Sequence, residues 1–408
     1  MTYYPRNFLW GGATAGHQIE GNNVNADIWL LEQVPETRFR EPSGDACDSL
    51  NRWREDLKLV SRMGLNAFRF SVEWSRIEPA EGQFSQAWLD HYTRIAAACR
   101  ACGIAPVVTL SHFTSPRWFA AAAGWANPRA PELFARFAGR VTSALGLYAS
   151  HLVTFNEPNL PLMGRWIQTP LADPVRTGLD EMLAGAARAV GSEVFNVWVY
   201  SRGEDARLAN LLEGHRAARE AAKAVYPGLP VGMSLALPDI QAVGSDAGVA
   251  KYRRFAEQPF FAAAREDDFI GVQNYGRLRL SADDVVPPPE GAERTQSGDE
   301  FYPQALGPAV AHAHAQTGKP VLVTENGLAA ADDGQRQRFI EGALASLDEQ
   351  VSAGVPVLGY LHWSLLDNFE WRRGYSQQFG LVAVDRTTFR RVAKPSAKTY
   401  SNLVEARR

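Results

Sequence analysis

Two short motifs each set a glutamate beside a residue that breaks regular structure: Glu157 in Thr154-Phe155-Asn156-Glu157-Pro158 and Glu325 in Val323-Thr324-Glu325-Asn326-Gly327. Two carboxyl groups brought to one cavity are what cleavage of a glycosidic bond needs, because the sugar passes through a cation-like state. One acid protonates the leaving oxygen while the other carboxylate faces the anomeric carbon. Taken singly, either glutamate could equally be a helix-start acid, favoured beside the positive end of a helix dipole. Pro158 and Gly327 favour turns at both places. Asn156, next to the first glutamate, carries an amide that can donate to a sugar hydroxyl or a carboxylate.

The elements that must position these groups are legible in the apolar pattern. Short apolar runs bounded by turn residues alternate with helical periodicity along the chain, which implies parallel strands joined by crossover helices. Strands are expected over 8–13, 67–72, 106–110, 152–156, 231–235, 269–273, 321–324 and 357–363. Helices are expected over 54–63, 86–102, 131–148, 206–225, 303–316, 336–351 and 396–406. Gly64, Gly103 and Gly318 stand just past helix ends, where a left-handed cap is needed. Eight βα units without a composition break predict an α/β fold: a single (β/α)8 TIM barrel over residues 1–408 with elaborated βα loops, rather than two doubly wound domains. Glu157 then ends the fourth strand and Glu325 the seventh, at one rim. Residues 161–202, a partly helical insertion, and 277–300, a polar loop, follow strands and fall on that same rim, where barrel enzymes build their sites.

Composition narrows the partners. The chain has 408 residues, 46% hydrophobic and 21% charged, an ordinary globular balance with ample material for a core. Its net charge is −3 with no long basic run, so nucleic acid is not an expected partner. No apolar window reaches the ~18 residues of a membrane helix, and no membrane partner is expected. The start lacks the pattern of a secretory signal, and three cysteines cannot all pair, so a cytoplasmic setting is expected. Cys99-Arg-Ala-Cys102 is formally a CxxC, but it sits in an alanine-rich helical stretch without a second pair or nearby histidines, which favours packing over zinc or redox work.

The motifs together resemble glycoside hydrolase family 1, the β-glucosidase and β-galactosidase family, across nearly the whole chain. The resemblance rests on Phe8-Leu-Trp-Gly-Gly-Ala-Thr-Ala-Gly-His-Gln18-Ile-Glu20-Gly21, the two glutamate motifs, and Trp363-Ser-Leu-Leu-Asp-Asn-Phe-Glu370-Trp371, in that order. It implies a retaining β-glycosidase in which Glu325 attacks the anomeric carbon and Glu157 serves as acid and then base. It also implies that Arg69 and Tyr275 flank the nucleophile, which should lower its pKa, while its charge should raise that of Glu157. Sugar binding falls by resemblance to Gln18, His112, Asn156, Glu370 and Trp371, with Trp363 as an aromatic platform. Glu370 and Ser376-Gln377-Gln378-Phe379 replace the cation that relatives cleaving 6-phosphoglycosides carry, so an unphosphorylated small-molecule glycoside is expected. The glycone is left open among glucose, galactose, fucose and other equatorially linked sugars. Departures from the family pattern at His112-Phe113, Asn159, Gln273-Asn274-Tyr275 and Gly298-Asp299-Glu300-Phe301 bear on the leaving group more than on the reaction.

Alternatives remain beside this reading. A transglycosylase on the same scaffold would pass the sugar to an acceptor hydroxyl instead of water. A non-catalytic sugar-binding protein would have lost a carboxylate, and neither glutamate is replaced. A metal-dependent barrel hydrolase would show closely spaced histidines or carboxylates at a strand end, and none is present, so neither metal nor cofactor is expected.

Overall fold

The computed structural model describes residues 4–167, 173–201 and 205–408; residues 168–172 and 202 of the expected insertion therefore lie outside the described residues. Eight parallel strands close a barrel among the described residues: β1 (Leu9–Ala13), β2 (Ala67–Ser71), β3 (Ala105–Ser111), β4 (His151–Asn156), β5 (Val231–Ala236), β6 (Ile270–Asn274), β7 (Val321–Asn326) and β8 (Val357–Trp363). Closure is made by β1 against β8, in register from Leu9 with Gly359 to Ala13 with Trp363. The strands agree with the expected ones to within two residues at each end. The largest difference is at β7, which runs through Glu325 to Asn326. Glu325 is thus held within a strand end and not on a turn, because its backbone still pairs with Gln273 of β6.

The strands are buried on both faces, as parallel barrels require. Ala13, Ala67, Val107, Val153, Leu322 and Leu361 pack inside the barrel. A larger apolar layer lies between the strands and the surrounding helices. The helices are α1 (Ser49–Arg62), α2 (Gln86–Ala101), α3 (Ala130–Leu145), α4 (Asp205–Val225), α5 (Gln258–Ala264), α6 (Leu306–Thr317), α7 (Asp333–Ser352) and α8 (Pro395–Glu405). Each turns an apolar stripe inward; on α3 it is Leu133, Phe134, Phe137, Ala138, Val141 and Leu145. The helix after β5 was not expected. It comes as two pieces, Ala247–Ala256 and α5, because Pro259 interrupts the periodicity of Val249, Tyr252, Ala256, Phe260 and Phe261. Gly64, Gly103 and Gly318 cap their helices with φ of 68°, 70° and 70°.

The C-terminal rim carries the extra structure. The insertion after β4 holds helices Leu160–Ile167 and Asp173–Val190. The stretch 277–300 is not wholly loop: Arg277–Leu280 pairs in parallel with Asp239–Ala242, forming a small sheet beyond the ends of β5 and β6. Arg277 fixes the far end of this stretch through two bonds to Glu300, at 2.6 and 2.9 Å, and lies over the Tyr302 ring.

Candidate active site

Every expected site residue is delivered by the C-terminal end of a barrel strand or the loop just after it. A cavity of about 240 Å³ opens there, and Glu157, Glu325, Asn156, His112, Tyr275, Trp363, Glu370 and Trp371 line it. Arg69 and Gln18 do not line the cavity; both are fully buried.

Glu325 is clamped by both oxygens. Arg69 Nη1 donates to Oε1 at 2.5 Å and Tyr275 Oη donates to Oε2 at 2.5 Å. Gln273 Nε2 adds a third donor to Oε1 at 3.0 Å. Arg69 is itself locked by Thr109 at 3.0 Å and by the Asn156 side-chain oxygen at 2.6 Å, which also accepts from Gln273 at 2.6 Å. Gln273 was missed as a site residue. It stands two positions before Tyr275, so strand periodicity alone places both on the barrel's inner face. Gly327 has a packing reason: a Cβ there would lie 1.9 Å from the Trp363 carbonyl oxygen.

The backbone at the cavity is strained. Among the described residues only a few non-glycines have positive φ, and three of them, Phe113 (69°), Glu157 (48°) and Trp371 (52°), line the cavity. Such residues persist where surrounding structure over-determines them, and they cluster at functional sites. The Trp363–Ser364 peptide is cis.

Burial dominates the electrostatics. It raises the pKa of Glu157, and the charge on Glu325 raises it further, to about 8, against the opposing pull of Arg69. Arg69 and Tyr275 act on Glu325 in the expected direction, each lowering its pKa, but burial outweighs them. Burial lifts its pKa above the ordinary value, and the guanidinium and phenol only offset part of the rise. With donors on both oxygens, Glu325 is still the better home for the negative charge of the pair. His112 is held well below its usual pKa by burial and by Arg69, so it is a neutral imidazole. Burial of the Glu370 carboxyl and the charge on Glu325 push Glu370 upward.

Four of the expected sugar-binding residues carry a buried polar atom without a hydrogen-bond partner in the protein: Gln18 Oε1, His112 Nδ1, Asn156 Nδ2 and Glu370 Oε1. Orphaned buried polar atoms are rare and call for a reason. Here they cluster about the carboxylate pair. The aromatic floor is stacked: His112 lies 5.6 Å from Trp363 with planes 15° apart, and Trp371 lies 5.6 Å from His17 with planes 3° apart. Thr295, Ser297 and Asp299 line the opening on the side of the 277–300 stretch, whereas Phe113 and Leu160 line it elsewhere. Phe113 and Asp299 belong to the departures on the leaving-group side; Thr295, Ser297 and Leu160 were not expected, since nothing in their local pattern marks them. Asn159, one of the departures from the family pattern, exchanges hydrogen bonds with the Ala236 backbone at 2.8 and 3.0 Å and so fixes the chain beyond Glu157. No group of three or more potential metal ligands occurs among the described residues, nor does a helix long and apolar enough to cross a membrane.

Comparison with known proteins agrees with this geometry. The model of Glycosyl hydrolase family 1 matches residues 1–201 and 271–408. A β-glucosidase from Agrobacterium sp. is 31% identical over 98% of this chain and 95% of its own. Beta-glucosidase A from Thermotoga maritima is 29% identical over 98% of each chain. Among solved structures, the apo form of beta-glucosidase 1317 is 44% identical over 98% of each chain, with a TM-score of 0.94. The Thermotoga maritima β-glucosidase in complex with deoxynojirimycin superposes with a TM-score of 0.86 at 26% identity, over 100% of this chain and 99% of that one.

Proposed function

Since the chain belongs to glycosyl hydrolase family 1 and is a glycoside hydrolase, we propose that it is a β-glucosidase-like, exo-acting enzyme that cleaves small unphosphorylated β-glycosides with retention. The observation that carries the residue roles is the clamp on Glu325 by Arg69 and Tyr275, facing a second acid whose pKa lies near 8.

In the first step a Glu325 oxygen attacks the anomeric carbon as the bond to the leaving oxygen breaks, and Glu157 gives that oxygen its proton. The product is a glycosyl ester on Glu325. In the second step water attacks the same carbon, Glu157 takes the proton, and the ester bond breaks. Two inversions retain configuration. Arg69 and Tyr275 hold Glu325 in the attacking orientation. Gln18, His112, Asn156, Glu370 and Trp371 receive the sugar hydroxyls, and Trp363 carries the ring's apolar face. Among the described residues no Lys or Arg lines the cavity, whereas Glu370 and Asp299 do, which supports an uncharged sugar over a phosphorylated one.

The whole chain acts as one barrel domain under this proposal, because β1 closes on β8. A cytoplasmic setting belongs to the same proposal and is supported by three free cysteines. The test uses an aryl β-glucoside. Glu325→Ala abolishes turnover and is rescued by azide to the α-configured glycosyl azide, while Glu157→Ala spares substrates with good leaving groups in the first step. Wild-type rates in both variants would refute the assignment.

A further inference from the structure

Strand β4 does not alternate. Leu152 packs outward and Val153 inward, as a strand dictates. Phe155 also points outward, against Trp125 at 5.0 Å and Phe134 at 4.7 Å. Thr154, the residue before it, points outward too, since its hydroxyl meets His215 on α4. The pairing with β5 shows the same irregularity: Val153 lies opposite Gly232, but Asn156 lies opposite Ser234. β4 therefore spends one more residue than β5 over this interval, which is a β-bulge. A shift of one residue exchanges the two faces of a strand. Here the extra residue returns Asn156 to the barrel interior and sets Glu157, at φ 48°, on the cavity wall.

A chain of buried polar groups occupies the outer side of that bulge. Thr154 Oγ1 and His215 Nδ1 are 2.7 Å apart, and His215 Nε2 and Asp267 Oδ1 are 3.0 Å apart. Asp267 Oδ1 accepts the Nε2 hydrogen, which leaves Nδ1 to accept from the Thr154 hydroxyl. Asp267 is also ion-paired with Arg219 at 3.6 Å, and Thr154 Oγ1 lies 3.4 Å from the Gly232 carbonyl oxygen of β5. The β4 side of the irregular seam is thus tied to one imidazole through Thr154. His215 and Asp267 are buried, and neither lines the cavity.

We infer that His215 is a positioning residue for Glu157: through Thr154 and Asp267 it holds the β4 bulge that aims the acid/base carboxyl at the leaving oxygen. This rests on the reading of Glu157 as acid/base. The imidazole touches no substrate, and its effect runs wholly through the backbone it pins.

The test compares His215→Phe and Thr154→Val with wild type and Glu157→Ala on a series of aryl β-glucosides, from 2,4-dinitrophenyl to phenyl, reading kcat/KM. Proton donation matters for phenolate and hardly for dinitrophenolate. A misaimed acid should therefore cost the phenyl substrate roughly 10- to 100-fold while the dinitrophenyl substrate stays within about threefold. A merely structural role would lower both alike through loss of folded enzyme, which circular dichroism and melting record. Equal losses on the two substrates, or a wild-type leaving-group dependence, would overturn the inference. If His215→Phe fails to fold, the near-isosteric Thr154→Val decides. If Glu157→Ala itself shows no steeper dependence, the acid/base assignment fails; if it does and the other variants do not, only the role of His215 fails.

Discussion

Replacing Glu325 by glutamine keeps its shape and removes its charge, and the titration of Glu157 should report the loss. Glu157 reaches about 8 because it is buried and because it faces the Glu325 carboxylate, while Arg69 pulls the other way. In Glu325→Gln the burial stays and still raises the pKa, but the repulsion goes and Arg69 is left without its anionic partner, so both changes favour a lower pKa. Two charges at the roughly 5 Å separation typical of retaining enzymes interact by about 3 kcal/mol at an effective dielectric of about 20. That corresponds to about two pH units. Glu157 should therefore titrate near 6 in the variant. Carbon-13 NMR of side-chain-labelled glutamate follows it directly, with Glu157→Gln identifying the resonance. A midpoint that stays near 8, or moves up, would mean that the charge of the pair does not reside on Glu325, and the division into nucleophile and acid would fall with it.

Tyr275→Phe removes the 2.5 Å bond to Glu325 Oε2 and leaves the ring in place. A hydrogen bond to a charged group is worth about 1.5–3 kcal/mol, so kcat/KM on an aryl β-glucoside should fall roughly 10- to 150-fold; a loss under twofold would show that the phenol does not hold the nucleophile. Asp27 offers a stability test away from the cavity. Burial lifts its pKa to about 8, although the Ser115 and Ile28 backbone N–H groups donate to Oδ1, and its Oδ2 has no partner. With the folded pKa above the unfolded value, the native state holds the extra proton. That contribution is complete below about pH 4 and is lost as pH rises through about 8. Asp27→Asn should leave the melting temperature unchanged near pH 4 and raise it by about 2 °C or more at pH 9. Equal shifts at both pH values would refute the assignment.

Most of what positions the site could be read from residue order, because a parallel strand buried on both faces is an uninterrupted apolar run and several of the runs here lead to a functional side chain. β4 and β7 illustrate this at Glu157 and Glu325. What could not be read arose from contacts between distant segments. Val249 to Ala264 was missed because Pro259 splits its helical period. Arg277–Leu280 looked like loop because its pairing partner, Asp239–Ala242, lies beyond another strand. The lowering of the Glu325 pKa by Arg69 and Tyr275 was legible as residue types, while the depth of burial that outweighs it is a property of the closed barrel. Thr295 and Ser297 became visible as mouth residues only once the loops were in place, whereas Gln273 was legible from its two-residue spacing to Tyr275 and was passed over.

The seam between β1 and β8 also sets a timetable. During synthesis both glutamates are made before Trp363, Glu370 and Trp371, and β1 waits with an unpaired edge until β8 emerges beside it. A nascent chain thus carries the reactive groups before the place to hold a sugar is complete, and activity waits for the last strand and the segment after it that brings Glu370 and Trp371. Pairing the first strand with the last also makes for high contact order, which slows folding. Until closure, the open β1 edge is the part of the molecule most exposed to wrong partners.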